Sequence, residues 1–372
     1  MTFKSTILAR FVAPLFLSVI GLTTMNNVQA ANYMPDETAL HDSTWLQWPH
    51  QYTYGLSYRN RLDATWVAMT SALATSEMVR IVAYDATEKA RIQNLLTLAG
   101  VPLGRISFLI KKTDDVWVRD NGPIFTLNDS RQLQITDWGF NGWGGDTRYR
   151  LDNTVPSSVA QQLGLPRIDL NKIVLEGGAF EIDGQGTFLA TKSAILEPKR
   201  NPNLTQAALE ANLKVQLGVK KFIWLEGAPG GKEDITDTHI DGFARFGTPD
   251  TVVTMSNSDL TYWGISQADI NRLASASNVN GMRYRKVILP LTAKNVVTTY
   301  GKNLGYKGSY VNYYVANSVV LVPQYQDAND SAAKAILQKL YPTRSIVGID
   351  VRNLFANGGM VHCVTQQQPL AH

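Results

Sequence analysis

Cysteine and charged residues are scarce in this 372-residue sequence, which has a single cysteine, Cys363, and 18% charged residues. One cysteine excludes an intramolecular disulfide framework and any metal site built from a cysteine cluster. Lysine and arginine total 35 against 31 acidic residues, a formal charge of +4, and the basic residues are scattered. We therefore expect no nucleic-acid partner. Hydrophobic residues make up 44%, which excludes a disordered chain and provides one large core or two ordinary ones.

Residues 1–30 carry the features of a secretory signal peptide. Lys4 and Arg10 come without any acidic residue, and an apolar run over residues 11–25 is followed by small side chains at the expected cut. That run is shorter than the ~20 residues of a membrane span, although an uncleaved anchor is the alternative. We expect cleavage after Ala30 and an exported protein, periplasmic or secreted, without stable membrane insertion.

Residues 31–372 are predicted to form a single α/β domain. Short β-type runs recur along the chain, at residues 79–83, 172–175, 251–255, 286–289 and 318–322. They are interleaved with stretches whose apolar residues repeat at three- and four-residue spacing, at residues 58–75, 86–99, 266–276 and 331–340. Several strands come in pairs before the next helix, which argues against a simple doubly wound parallel sheet.

Two segments carry groups suited to nucleophilic chemistry. Cys363 follows Gly358 and Gly359, and glycines let a ligand approach the backbone closely. A lone cysteine is also often a small buried hydrophobic residue, which is the alternative. In an extended segment, His239 and Asp241 would point to one face, so a proton-transfer group and a carboxylate would share a pocket. A metal pair or a hydrogen-bonded surface strand are the alternatives there.

Two further segments place carboxylates beside an aromatic ring or glycines. Trp117 and Asp120 flank Arg119 and are able to offer a flat face and a bidentate acceptor to a planar cation. The alternative is a salt bridge from Arg119 to an aspartate that fixes a loop. Glu176 ends an apolar strand beside two glycines, where an edge-strand acid without function is the alternative. If the four segments share a site, their groups suit a planar, resonance-stabilised cation with an electrophilic carbon.

Six motifs, in order along the chain, resemble the signatures of agmatine deiminases: WVRDNGP (117–123), EGGAFEIDGQGTFLAT (176–191), RNPNL (200–204), TDTHIDGFARF (236–246), SYVNYY (309–314) and GGMVHCVTQQQP (358–369). The related bacterial peptidyl-arginine deiminases share much of this set. The resemblance implies the pentein fold, a five-bladed, pseudo-symmetric α/β propeller of ββαβ units around an acidic active site. It also implies hydrolytic deimination of a guanidino group through a Cys-linked covalent amidino intermediate, with no cofactor and no metal.

The resemblance further implies roles for particular residues. Cys363 matches the family's nucleophile and His239 its general acid and base. The matched positions of the guanidinium site are the carboxylates Asp120, Asp241 and Glu176, the aromatic wall Trp117 and, near the nucleophile, the polar Asn312.

The sequence departs from the agmatine deiminases at two places. Thr238 and Gly242 stand where the cytosolic enzymes usually have a glycine and an asparagine around the His-x-Asp triplet. Arg148 and Arg150 replace part of a proline-containing run. Two residues apart, they are able to face the same way and bind a carboxylate, which agmatine lacks. Surface exposure without function is the alternative for both arginines.

Three functions follow from these observations. The first hypothesis is conversion of agmatine to N-carbamoylputrescine and ammonia. The second is deimination of carboxyl-terminal or free arginine, which Arg148, Arg150 and the predicted export favour. The third is a catalytically silent propeller that binds guanidino ligands. The sequence makes no prediction of the oligomeric state.

Overall fold

The computed structural model of the protein describes residues 1–2, 32–228 and 234–371. Apart from residues 1–2, the predicted signal peptide and its cleavage site lie outside the described residues, so export stays a prediction. Among the residues described, no helix has the length and the apolarity that crossing a membrane requires.

Short strands and helices follow one another along the described chain. The strands are β1 (His41–Gln47), β2 (Met78–Ala83), β3 (Ile106–Ile110), β4 (Ile124–Leu127), β5 (Leu133–Gly139), β6 (Arg167–Val174), β7 (Phe180–Ile182), β8 (Thr187–Thr191), β9 (Lys221–Leu225), β10 (Ala244–Thr248), β11 (Thr251–Thr254), β12 (Arg285–Ile288), β13 (Tyr314–Val315), β14 (Val319–Gln324), β15 (Ser345–Asp350) and β16 (Gln366–Pro369). The helices are α1 (Gln51–Leu73), α2 (Ala86–Leu98), α3 (Val118–Asn121), α4 (Gly142–Gly145), α5 (Val155–Leu163), α6 (Gln206–Leu217), α7 (Asn257–Tyr262), α8 (Gln267–Ala274), α9 (Asp330–Leu340) and α10 (Arg352–Phe355). The predicted strand runs overlap β2, β6, β11, β12 and β14, and the predicted helices overlap α1, α2, α8 and α9, so the α/β class is confirmed.

These strands form five small mixed sheets that share one internal pattern. In each sheet a central strand pairs antiparallel with one neighbour and parallel with the other: β4-β5-β6, β7-β8-β9, β10-β11-β12, β13-β14-β15 and β16-β1-β2, the last extended by parallel β3. Helical segments connect the parallel strands, as a crossover connection requires. The paired strands indicated by the sequence are therefore repeated ββαβ units.

The last strand of the chain completes the sheet that contains the first strand. β16 pairs antiparallel with β1, so that Trp45 lies opposite Gln366. Gln368 Oε1 accepts hydrogen bonds from Trp45 Nε1 and from Ser43 Oγ, each at 3.0 Å. This pairing fixes the turn before β16 against the loops of the other sheets.

Local sequence signals define the helix ends, and apolar faces fix the helices to the sheets. Helix α6 follows Thr205, whose side chain accepts the Ala208 N–H, and it ends at Gly218 in the left-handed region with φ 72°. Leu209 and Leu213 of this helix are fully buried against the sheet β7-β8-β9. The rigid sheets leave the loops at their ends to carry the chemistry.

Candidate active site

The residues selected from the sequence lie in loops and short turns next to the sheets. Asp120 lies in α3, Glu176 follows β6, His239 precedes β10, Asn312 precedes β13 and Cys363 precedes β16. The segment around His239 does not adopt the extended conformation considered above, because residues 240–242 form a 3₁₀ turn and β10 begins only at Ala244. The turn still directs His239 and Asp241 into the same space.

The Cys363 thiol lies in a 3₁₀ turn directly before β16 and is partly buried. Asn312 Nδ2 lies 3.4 Å from Cys363 Sγ, and Asp241 Oδ2 lies 3.9 Å from it. Asn312 also holds the turn in place, because its Oδ1 accepts the His362 N–H at 2.9 Å. The sulfur therefore contacts an amide and a carboxylate in addition to the apolar core, unlike a cysteine that serves only as a small hydrophobic residue.

Gly178, which has no side chain, forms one wall of the site. A Cβ on Gly178 would lie 2.7 Å from Asp120 Oδ1, 2.7 Å from His239 Nδ1 and 3.1 Å from Asp241 Oδ2. The Gly178 N–H donates to Asp120 Oδ1 at 3.0 Å. Three functional groups from two separate segments, Asp120 from α3 and His239 and Asp241 from one turn, thus converge on a space that glycine leaves open.

Asp120 is held by Trp143, which the sequence analysis did not select. Trp143 Nε1 donates to Asp120 Oδ2 at 3.0 Å, and its ring meets Trp117 edge to face with centroids 6.4 Å apart. Burial raises the pKa of Asp120 to about 6, and the His239 charge and the Trp143 N–H oppose this rise. Trp143 has a φ of 56°, which a bulky residue rarely adopts. The glycines on both sides of it were the available sequence signal.

His239 is surrounded by carboxylates. Its Nε2 lies 2.9 Å from Glu176 Oε2, and its Nδ1 lies 3.7 Å from Asp120 Oδ1. Burial acts to lower the pKa of His239, but Asp120, Glu176 and Asp241 outweigh burial and raise it to about 9. At neutral pH the ring is therefore an imidazolium, able to donate a proton.

Glu176 lies behind His239 and is held by a second residue missed at the sequence level. Both carboxylate oxygens of Glu176 accept from Arg200 Nε at 2.9 Å, and Arg200 Nη1 also bonds Asp237. Arg200 belongs to the RNPNL motif, which was quoted for the resemblance but given no role. Through these contacts Arg200 fixes Glu176, and Glu176 in turn orients the His239 ring. Direct contact between Glu176 and a substrate stays a prediction.

The backbone before His239 is strained. Asp237 and Thr238 have φ values of 57° and 72°, in the left-handed region that favours glycine. The resemblance implies a glycine at this position, where this sequence has Thr238. Here Thr238 Oγ1 donates to the Ala228 carbonyl at 3.0 Å and the Thr238 N–H donates to Asp234 at 3.0 Å. These two hydrogen bonds explain how a threonine is accommodated.

Acidic surroundings disfavour ionisation of the thiol. Burial raises the pKa of Cys363 well above its ordinary value, Asp241 and Asp120 raise it further, and the Asn312 hydrogen bond opposes them. A cation bound beside Asp120 and Asp241 would cancel their negative charge at the sulfur. The site therefore favours a thiolate only when a cationic ligand is present.

A buried layer of charged groups lies behind Asp241. His362 Nδ1 is 2.7 Å from Asp241 Oδ2, and His362 Nε2 is 2.8 Å from Glu37 Oε2. Glu37 also pairs with Arg245 at 2.9 Å and with Arg119 at 3.3 Å. The alternative of an Arg119–aspartate salt bridge is wrong, since Arg119 pairs with this distant glutamate. No local pattern predicts Glu37, because the strand pairing of β16 with β1 brings it here.

Arg148 and Arg150 lie exposed in the segment that follows Trp143. Neither guanidinium group has a salt bridge or a side-chain hydrogen bond to the described part of the chain. Surface exposure is therefore confirmed for both, and carboxylate binding stays a prediction. Within residues 32–228 and 234–371, no group of three or more His, Cys, Asp and Glu side chains is arranged to hold a metal ion.

The repeated ββαβ sheets, with a thiol and an imidazolium that both lie beside Asp241, define a class, the cysteine-dependent enzymes that act on guanidino groups. Residues 33–369 match the Porphyromonas-type peptidyl-arginine deiminase family. The sequence is 32% identical to agmatine deiminase of Pseudomonas fluorescens (strain SBW25), over 94% of this chain and 100% of that protein. It is 31% identical to agmatine deiminase of Pseudomonas aeruginosa (strain LESB58), over 90% and 95%.

A solved structure supports the same assignment. Agmatine deiminase of Enterococcus faecalis superposes with a TM-score of 0.78 at 28% identity, covering 91% of this chain and 96% of that one. This chain belongs to the family of agmatine and Porphyromonas-type peptidyl-arginine deiminases. Members of the family are hydrolases that act on guanidino C–N bonds.

Proposed function

We propose that this protein hydrolyses agmatine to N-carbamoylputrescine and ammonia. The observation that carries the proposal is the convergence of Asp120, His239 and Asp241 on the open face of Gly178, beside Cys363. Carboxylates hydrogen-bond a planar guanidinium in two places at once, which fixes both its position and its orientation. The relatives that are agmatine deiminases, at 31% and 32% identity, support agmatine as the substrate. We further infer that the five sheets surround this site as the blades of a propeller.

In the first half of the reaction, Asp120 and Asp241 hold the guanidinium with its central carbon toward Cys363 Sγ. The bound cation lowers the pKa of the thiol, which releases its proton to solvent, and the thiolate adds to the carbon. His239 then donates its proton to one nitrogen, the C–N bond breaks, and ammonia departs. A positively charged amidino group remains bonded to Cys363.

In the second half, neutral His239 accepts a proton from water while the water oxygen attacks the amidino carbon. The C–S bond breaks, its electron pair returns to Cys363 Sγ, the hydroxyl proton of the tetrahedral intermediate passes to this sulfur, and the ureido product leaves. His239 ends protonated, as it began. The proton that the thiol released to solvent is taken up by the departed ammonia, so the cycle restores the thiol and the imidazolium and consumes only substrate and water.

The activity is expected to depend on pH with two limbs. Below about pH 6 Asp120 becomes neutral and no longer attracts the guanidinium, so kcat/KM falls. Above about pH 9 His239 loses the proton it donates to the leaving nitrogen, so kcat/KM falls again. Trp143→Phe removes a hydrogen bond that lowers the pKa of Asp120, and should move the acidic limb toward neutral pH. Ureido product measured across the pH range tests this.

Trp138→Phe is the matched control for that variant. Trp138 is also buried, and its Nε1 donates at 3.0 Å to Thr136 Oγ1, which lies outside the site. Trp138→Phe should leave both limbs in place. An acidic limb that does not move in Trp143→Phe, or that moves equally in both variants, would contradict the assignment of that limb to Asp120.

Arginine at the carboxyl terminus of a peptide, or free arginine, is the second candidate substrate. The family match to peptidyl-arginine deiminases and the exposed, unpaired Arg148 and Arg150 favour it. A carboxylate would need such partners. Agmatine keeps the amine of arginine but lacks the carboxylate, so it gains nothing from them.

A substrate panel separates these candidates. Purified protein is incubated with agmatine, arginine and a peptide that ends in arginine, and both ammonia and ureido product are measured. We expect the highest kcat/KM for agmatine. The kcat/KM for agmatine should not change in the double variant Arg148→Ala and Arg150→Ala. Arg105→Ala, at another exposed arginine, controls for the loss of surface charge. Preference for the peptide would transfer the assignment to the second candidate, and no turnover of any substrate would favour a silent guanidino-binding protein.

A further inference from the structure

The His362 ring bridges two buried carboxylates directly behind the guanidinium site. Its Nδ1 lies 2.7 Å from Asp241 Oδ2 and its Nε2 lies 2.8 Å from Glu37 Oε2. The side chains of His362, Asp241 and Glu37 are 2%, 3% and 7% exposed, so water does not compete for these hydrogen bonds. The mechanism above assigns no role to His362.

Both neighbours of the ring are acceptors. Burial opposes ionisation of Glu37, but Arg245 and His362 hold its pKa far below the ordinary value. Burial opposes ionisation of Asp241 as well, but the hydrogen bond and charge of His362, together with the charges of His239 and Arg245, lower its pKa. A neutral imidazole donates through one nitrogen and would direct the lone pair of the other at a carboxylate. Two ionised carboxylates at hydrogen-bond distance therefore require a ring with two N–H groups.

We propose that His362 is a positioning residue whose lasting positive charge orients Asp241 and offsets, at Cys363, the negative charge of the guanidinium site. The inference rests on the proposed function, because it takes Cys363 as the nucleophile. Asp241 Oδ2 links His362 to Cys363, since it accepts a hydrogen bond from His362 Nδ1 and lies 3.9 Å from Cys363 Sγ. His362 also precedes Cys363 in one turn, which Asn312 clamps through the His362 N–H.

Other charged and titratable groups surround His362, Asp241 and Cys363 on every side. They are Asp120 and His239 across the Gly178 face, Arg119, Arg245, Glu37 and Glu181 around His362, and Tyr325 beside Cys363. In this set, His362 is the cation that hydrogen-bonds Asp241 Oδ2, the carboxylate oxygen nearest to the sulfur. Loss of the His362 charge should therefore change the pKa of the Cys363 thiol.

The test measures the reactivity of Cys363, which is the single cysteine of the sequence. The rate at which iodoacetamide alkylates Cys363 is measured against pH by mass spectrometry in the wild type and in His362→Gln. Removing the nearby positive charge should raise the pKa of the thiol by about one unit, which slows alkylation about tenfold at a fixed pH on the rising limb. An unchanged or faster reaction would overturn the proposal, because a merely loosened structure exposes the sulfur and speeds alkylation.

His41→Gln is the matched control. His41 is another buried histidine beside a carboxylate, with Nδ1 3.5 Å from Glu77 Oε1, and its Nε2 contacts the Glu37 carbonyl at 3.0 Å. Among its contacts in the described structure there is none with Asp241 or Cys363. His41→Gln should leave the alkylation profile in place, and a shift equal to that of His362→Gln would also overturn the proposal.

A second measurement covers the case in which His362→Gln does not fold. Ring-¹⁵N histidine spectra of the wild type, assigned with single His→Gln variants of the other four histidines, should show two ring N–H groups on His362 at about pH 8. A ring with one N–H would overturn the proposal. Neither readout needs turnover, so inactivity toward agmatine would reject the proposed function without deciding the charge of His362.

Discussion

Cys363→Ala is expected to abolish deimination of agmatine while leaving the fold and the carboxylates of the site intact. Cys363 Sγ faces Asn312 and Asp241, and the described site holds no other thiol that could form the covalent intermediate. Loss of a nucleophile costs on the order of 10⁴-fold or more in kcat. Ammonia and ureido product, measured over long incubations, give the residual rate.

Cys363→Ser makes the test of the nucleophile more specific. A serine hydroxyl keeps the hydrogen-bonding capacity of the thiol, but it ionises far less readily, and the neighbouring Asp241 carboxylate is too weak a base to activate it. Turnover should remain near that of the alanine variant. Mass spectrometry of quenched reactions should detect an amidino adduct on Cys363 in the wild type and none in either variant. Substantial activity in the alanine variant would refute the covalent mechanism.

Gly178→Ala is expected to lower kcat/KM by about 10²-fold or more, because a small displacement of catalytic groups has an effect of that size. The added Cβ would lie 2.7 Å from both Asp120 Oδ1 and His239 Nδ1 and 3.1 Å from Asp241 Oδ2. Asp120, His239 and Asp241 would all have to move away from the space in which the guanidinium is held. The backbone of Gly178 is not among those with positive φ, so alanine causes no strain of that kind.

Gly104→Ala is the matched control for this prediction. A Cβ on Gly104 would meet no atom within 4 Å, and this glycine also lacks a positive φ. Both variants should unfold at temperatures close to that of the wild type, and only Gly178→Ala should lose activity. Full activity in Gly178→Ala would mean that the guanidinium does not occupy the space above Gly178.

The sequence predicted the helices and strands because apolar periodicity is a local property. The 58–75 and 86–99 stretches became α1 and α2, and the run at 79–83 became β2 between them. It did not determine the conformation at His239 and Asp241, where an extended segment would have placed both side chains on one face. Residues 240–242 form a 3₁₀ turn instead, and Arg200 holds the segment before it through the carbonyls of Ile235 and Thr236. A distant side chain thus overrides the local pattern.

The site was predicted only in part for the same reason. Cys363, His239, Asp120 and Asp241 are reactive residue types within motifs, so they can be selected without coordinates. Trp143, Arg200, His362 and Glu37 act on those residues through hydrogen bonds, and their partners lie far away in the sequence, as with Glu37 and His362. Nothing in residues adjacent to Glu37 indicates that pairing.

The amino-acid sequence by itself determined the α/β class, the absence of disulfides and the identity of the one thiol, because these depend on composition and on spacing within short segments. Only the tertiary structure decided that Gly178 supplies an open face, that Asp241 is hydrogen-bonded to His362, and that Trp143 donates a hydrogen bond to Asp120. The physical reason is that charge, burial and close approach depend on which loops the five sheets bring together, and that is fixed by strand pairings between distant parts of the chain, such as β16 with β1.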